Sequence, residues 1–172
     1  PTPDSFLKLK EALSKHPSIS LNNIGLSDRS GRETFHFSGT STMNRISLKG
    51  GGNITLEVTT IDEYCTTNSI PFIDYLKIDT EGNELNVLAG SENTLANVKF
   101  IEAEASMNPH NRYHNSFFDI YKFLTERNFH LFGVYEQTRE WSGGGVPIMR
   151  RSNPVFVNSS IVGSLPPSVI VD

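Results

Sequence analysis

Apolar residues change their period several times along the chain, and each change marks an element. Phe6, Leu9 and Leu13 recur at helical spacing, with Asp4 placed to cap the start and Pro17 to stop the helix. Ile19 to Leu26 reads as a strand, closed by the turn-forming run Ser27-Asp28-Arg29-Ser30-Gly31. From Thr34 to Phe37 the pattern alternates, with Phe35 and Phe37 on one side and Thr34 and His36 on the other. Ile54, Leu56 and Val58 alternate with Thr55, Glu57 and Thr59 in the same way. These two strands flank a polar, Gly-rich stretch from Ser38 to Asn53 and predict a small hairpin insertion with one wet face.

Thr60-Ile61-Asp62-Glu63 fits a capping box and starts a short helix through Tyr64. Phe72 to Ile78 is short, nearly continuous in apolar character, and followed at once by helix signals, as expected of a strand buried on both faces. The next helix carries Leu85, Leu88 and Leu95 inward, with Gly90 suited to a C-cap. Val98 to Ala105 reads as a second buried strand, Phe117 to Leu124 as a helix, and Phe129 to Tyr135 and Pro154 to Val162 as two further strands. Strand–helix–strand order implies an α/β fold with parallel pairing and right-handed crossovers. The last two strands, joined through Gly143-Gly144-Gly145, are expected to form an antiparallel edge.

Composition narrows the class. With 172 residues the chain is expected to be one domain, 1–172, and no repeat or linker divides it. No run of about 18 apolar residues occurs, and Pro1-Thr2-Pro3-Asp4 has no signal pattern, so a cytoplasmic protein without membrane contact is the expectation. A net charge of −4 disfavours nucleic acid as a partner, and Arg150-Arg151 reads as a solvated turn. Cys65 stands alone, which excludes an internal disulfide and a cysteine zinc cage. The sequons at Asn53 and Asn158 read as chance matches.

In an open α/β sheet, ligands bind outside the carboxyl ends of the strands. That rule selects Leu26-Ser27-Asp28, Asp79-Thr80-Glu81-Gly82 and Glu102-Ala103-Glu104-Ala105-Ser106. The second is the sharpest: Asp79 ends a strand, Glu81 sits in the turn, and Gly82 lets the chain turn tightly into a helix. Carboxylates at such a rim can accept a proton, orient an ammonium group or hold a metal; the plainer reading is that they favour the helix N-terminus. Lys77, inside an apolar strand, is expected to pair with Asp79, Asp74 or Glu104 rather than act as a catalytic amine. The loop from Ser106 to His114 is rich in polar groups, and His110 and Asn111 are its candidate substrate contacts. His110 and His114 have a spacing suited to a metal on a helix, but Pro109 and the asparagines argue for a loop, and no metal ligand is assigned. Neither glycine cluster has the Lys-Ser/Thr of a phosphate loop, and no G-x-S-x-G elbow is present.

The stretch Phe72-Ile73-Asp74-Tyr75-Leu76-Lys77-Ile78-Asp79-Thr80-Glu81-Gly82-Asn83-Glu84-Leu85-Asn86-Val87-Leu88-Ala89-Gly90 closely resembles the signature of FkbM-type methyltransferases, aspartate-x-leucine-lysine-isoleucine-aspartate-x-glutamate-glycine-x-glutamate. Pro1-Thr2-Pro3-Asp4-Ser5-Phe6, Asn23-Ile24-Gly25-Leu26-Ser27-Asp28 and Val58-Thr59-Thr60-Ile61-Asp62 resemble further family segments in the right order. The resemblance covers about the first two-thirds of the chain and weakens beyond Gly133. It implies a Rossmann-like, doubly wound sheet of the class I methyltransferase type, mostly parallel with an antiparallel edge. It also implies S-adenosyl-L-methionine as methyl donor and a hydroxyl of a sugar or polyketide-like molecule as acceptor. Asp79 and Glu81, with Glu104 beside them, would face methyl transfer; Leu26, Ser27 and Asp28 would lie near the adenine, and Asp79 would also touch the cofactor.

The family's first strand, its aspartate-x-glycine-alanine-asparagine-x-glycine turn and its ribose-binding glutamate have no counterpart in these residues. The two strands that carry them would sit between the strand ending at Leu26 and the one ending at Asp79, leaving a gap of about 10 Å in the sheet. The expectation is therefore a partial Rossmann-like domain, inactive alone, whose missing N-terminal segment is its first partner. The competing reading is a non-enzymatic binding or scaffold module that kept the signature for packing. A metal-dependent hydrolase using Asp79, Glu104 and His110 rests on residue types alone.

Overall fold

A computed structural model describes residues 2–36, 45–46, 54–111, 113–140 and 147–163. The first helix, α1 (Pro3–Ala12), has Thr2 at its N-cap position without a side-chain capping bond and proline in its first turn, so Asp4 lies inside the helix rather than at its cap. Leu7 and Leu9 are exposed, so here leucine spacing sets a helix without burying it. The strand expected from Ile19 shrinks to β1 (Gly25–Leu26). It pairs in parallel with β4 (Ile54–Thr59), which pairs antiparallel with β2 (Gly31–His36) and through it with β3 (Arg45–Ile46). The hairpin between the two alternating segments forms as expected, with Phe35 opposite Ile54 and Gly31 opposite Val58. Gly50-Gly51-Gly52, Asn53 and Gly143-Gly144-Gly145 fall outside the described residues.

Helix α2 (Ile61–Thr67) starts where the capping box places it, the Thr60 hydroxyl accepting the Glu63 amide at 3.0 Å. The Glu63 carboxylate instead takes the Ser30 hydroxyl, which ties the helix to the turn after β1.

The second sheet runs β5 (Ile73–Ile78), β6 (Val98–Ala103), β9 (Ile148–Asn158), with β7 (Ala105–Ser106) and β8 (Phe129–Glu140) both pairing β9. Between β5 and β6 the chain crosses over through α3 (Glu84–Ala89) and a 3-10 turn at Thr94–Asn97; α4 (Phe117–Thr125) precedes β8. Only β5–β6 and β1–β4 are parallel, and the other described strand pairs are antiparallel, so the mostly parallel sheet is corrected. The cause is β9, which inserts antiparallel against β6 rather than staying at an edge. It stops at Asn158, whose side chain accepts the Ser160 amide and caps the short helix α5 (Ser159–Val162), where a strand was expected to continue. The same side chain is buried and donates to the Leu95 and Val98 carbonyls, which closes that sequon to modification.

The core lies on one face of this sheet. Ile78, Ile101, Ala103 and Phe156 pack under Val87 and Leu88 of α3 and Ile120 and Leu124 of α4, with Ile61 and Cys65 of α2. The opposite face carries a row of rings, Tyr75 to Phe100 at 6.4 Å and Phe100 to Phe132 at 5.7 Å, with Tyr75 and Phe132 exposed. β5 is therefore half-buried, not buried on both faces as its apolar run suggested: Leu76 and Ile78 point inward while Tyr75 and Lys77 point out. The doubly wound cover on both sides is not seen among the described residues. Between β1 and β5 no pairing is described, and the two sheets remain separate. No described helix is long and apolar enough to cross a membrane.

Asp62 joins α2 to the 3-10 turn, accepting from the Asn93 amide (3.0 Å) and side chain (2.9 Å) and from the Thr94 amide (2.7 Å) and hydroxyl (2.6 Å). Burial alone would raise its carboxyl, but the four donors together hold it below its ordinary value. A depressed carboxyl stabilises fully above its unfolded pKa, and that contribution disappears as pH falls through the native one. Asp62→Ala is expected to cost about 1–3 kcal/mol at neutral pH in urea unfolding. Its deficit against the parent should shrink below about pH 4.

Candidate active site

Parallel register sets the site. Ile78 pairs with Ala103, so the next residues, Asp79 and Glu104, leave the ends of neighbouring strands side by side, and the Glu104 amide donates to the Ile78 carbonyl at 3.1 Å. Asp79, Glu81, Glu104 and Asn111 line one cleft of about 650 Å³, together with His114 and Arg151. Four of the expected site residues therefore meet.

The loop after β5 is held by a residue whose role its motif position did not disclose. Glu84 is fully buried, and its Oε1 accepts from the Thr80 amide (3.0 Å), the Thr80 hydroxyl (3.0 Å) and the Gly82 amide (3.1 Å). This folds the loop back on the helix start and leaves Glu81 at φ 53° and Gly82 at φ 104°. A side chain at positive φ other than glycine is uncommon and persists where surrounding contacts over-determine it. Gly82 packs against the next loop so closely that a Cβ there would lie 1.9 Å from the Tyr113 carbonyl oxygen. Asn111 Oδ1 accepts the Tyr113 (2.7 Å) and His114 (3.2 Å) amides, turning that loop so that His114 enters the cleft.

His114 stands between two carboxylates: Nε2 is 3.9 Å from Glu81 and Nδ1 is 3.4 Å from Glu104. Glu104 is buried, and its Oε1 accepts from Arg151 at 2.5 Å. Burial, then the Glu104 and Asp79 charges, push the Glu81 carboxyl above its ordinary value against the pull of His114 and Arg151. His110 does not line the cleft; its amide donates to Asn108 Oδ1, and His114 occupies the place expected for it. This also corrects the grouping of Asp79, Glu104 and His110, because among the described residues the His/carboxylate cluster is Glu81, Glu104 and His114. Leu26, Ser27 and Asp28 lie outside the cleft lining. Ser27 is buried with its hydroxyl on Asp28, while Leu26 offers its carbonyl to Asn83 at 3.0 Å, which brings the end of β1 against the start of α3.

Lys77 pairs with Glu102 at 3.0 Å, not with Asp79, Asp74 or Glu104, because Glu102 is its partner in the β5–β6 register. Burial works to raise Glu102, but Tyr75, Lys77 and Asn153 outweigh it and hold its carboxyl below the ordinary value. Arg150 and Arg151 are on β9 and line the cleft, so they are not a solvated turn. Glu136 also lines it: a register break between Tyr135 and Thr138, with Glu136 at φ 47°, turns its side chain to accept from Asn153 at 2.8 Å. Such a bulge has no signature in an alternating run, whereas the density of polar groups in the Ser106–His114 loop did mark the neighbourhood of His114.

Comparison with known proteins gives concordant matches. The family model described as the Methyltransferase FkbM domain matches residues 1–131. A hexuronic acid methyltransferase, AglP, of Haloferax volcanii is 30% identical, over 73% of this chain and 51% of the relative. A 2-O-methyltransferase, NoeI, of Sinorhizobium fredii is 27% identical, over 62% of this chain and 51% of the relative. The chain thus spans about half the length of the curated relatives it matches. No solved structure matches it.

Proposed function

Because the chain belongs to the FkbM methyltransferase family, we propose that it carries the acceptor side of an S-adenosylmethionine-dependent enzyme that methylates a sugar hydroxyl. The observation that carries this reading is the meeting of Asp79, Glu81 and Glu104 in one cleft at the ends of parallel strands, within a chain of that family. The matched relatives are named for a hexuronic acid and for 2-O-methylation, so a hexuronic acid hydroxyl is the first acceptor to try.

The donor set fits a cationic cofactor. Asp79, Glu81, Glu104 and Glu136 face the cleft against Arg150, Arg151 and His114, which suits a sulfonium charge. Asp79 would lie by the sulfonium and Leu26, Ser27 and Asp28 by the adenine. S-adenosylmethionine, when bound, supplies the methyl group. Asp79 accepts the proton of the acceptor hydroxyl, since it is exposed at the strand end while Glu81 and Glu104 are engaged by His114 and Arg151. Asn111, with His114 in place of His110, flanks the acceptor's approach, and most of the rate comes from holding hydroxyl and methyl in line.

The test is calorimetric titration of the purified protein with S-adenosylmethionine, followed by transfer of labelled methyl to a hexuronic acid glycan. Label in the glycan supports the reading. Cofactor binding without label on any sugar would favour a binding module, and absence of both, from the chain alone and from the chain completed with the family's N-terminal cofactor segment, would remove the methyl-transfer reading.

A further inference from the structure

We propose that Glu81, Glu104 and His114 form a binding site for one divalent transition-metal ion of the Mn²⁺ or Zn²⁺ type. One donor atom from each lies within 4.8 Å of the others. A carboxylate and a histidine near each other would not by themselves make a site; what points to a ligand is the state of the buried atoms. The side chains of Glu104 and His114 are only 8% and 10% exposed, and Glu104 Oε2 and His114 Nδ1 both lack a hydrogen-bond partner. They face each other at 3.4 Å, too far for a good N–H···O bond and close to the separation of two ligands on one cation. Buried polar atoms are almost always satisfied, and a cation between them would satisfy both.

Charge and geometry agree. Arg151 neutralises Glu104 through Oε1, which leaves Oε2 free for a second partner. Glu81 is already brought over the cleft by its positive φ, held there by the Glu84 bonds to the loop and by the Gly82–Tyr113 contact. Asp79 and Glu136 add negative charge to the same cleft. One imidazole nitrogen with two carboxylate oxygens is a borderline donor set, suited to Mn²⁺ or Zn²⁺ rather than to the all-oxygen cages of Ca²⁺ and Mg²⁺. Since a single cation can use only one ring nitrogen, Nδ1 is assigned as the ligand and Glu81 closes the remaining distance. Water would complete the shell on the cleft side.

The inference does not depend on methyl transfer, and neither does its test. Chelator-stripped protein is titrated with MnCl₂ and with ZnCl₂ by calorimetry, with Mn²⁺ also followed by electron paramagnetic resonance. One ion per chain is expected, weakened at least ~10-fold by Glu104→Gln and by His114→Gln, with Asp74→Asn as an unchanged control. Thermal melting of each variant establishes that it is folded. If His114→Gln does not fold, Glu104→Gln decides, because it preserves shape and removes only the charge. Absence of binding by the parent protein, or equal binding by parent and Glu104→Gln, overturns the site.

Discussion

Asp79→Asn, assayed in the full-length parent, is expected to lower turnover in the proposed methyl transfer by about 10²-fold or more, with a much smaller change in affinity for the methyl donor. Amide and carboxylate have nearly the same shape, so what is removed is the ability to take a proton from the acceptor hydroxyl. Asp79 is exposed just beyond β5, so the exchange should leave stability within about 0.5 kcal/mol. A fall in turnover at unchanged melting temperature is the signature to look for. Near-normal turnover would take Asp79 out of the mechanism.

Gly82→Ala is expected to be the most damaging small change at the site. The new Cβ would sit 1.9 Å from the Tyr113 carbonyl oxygen, and φ at 104° disfavours any side chain. Neither backbone can yield cheaply, because Glu84 holds one loop and Asn111 turns the other. Overpacking and backbone strain together suggest a cost of roughly 2–5 kcal/mol. Denaturant unfolding measures that cost, and the histidine ring resonances report whether His114 leaves the cleft. A variant as stable as the parent, with those resonances unmoved, would show that the two loops do not press on each other as described.

Local chemistry was legible in the sequence, and pairing across distance was not. The Thr60 cap, the alternation of residues 54–59 and the apolar spacing of α4 each depend on neighbours a few residues away, and each forms as read. The meeting of Asp79 with Glu104 also followed, since both end strands on either side of one crossover. What escaped depends on register or on turns. Lys77 found Glu102 because of which residues lie opposite in β6, and Glu136 turned inward through a bulge. His114 rather than His110 entered the cleft because Asn111 turns the loop between them, a three-residue effect that residue types do not disclose. The apolar run of β5 promised two covered faces, yet apolar content alone does not say what covers them.

The narrow seam where Gly90 meets Ser27 has a consequence for how the molecule comes apart. A methyl group at position 90 would stand 2.2 Å from the Ser27 carbonyl oxygen, so nothing larger than hydrogen fits between the first sheet and the helix serving the second. Asn83 crosses the same seam to Leu26, and the Asp62 amide crosses it to the Gly90 carbonyl. With no strand ladder described across this boundary, amide protons of β2 and β4 should exchange with solvent earlier than those of β6 and β9, and wedging the seam open with alanine should widen the interval.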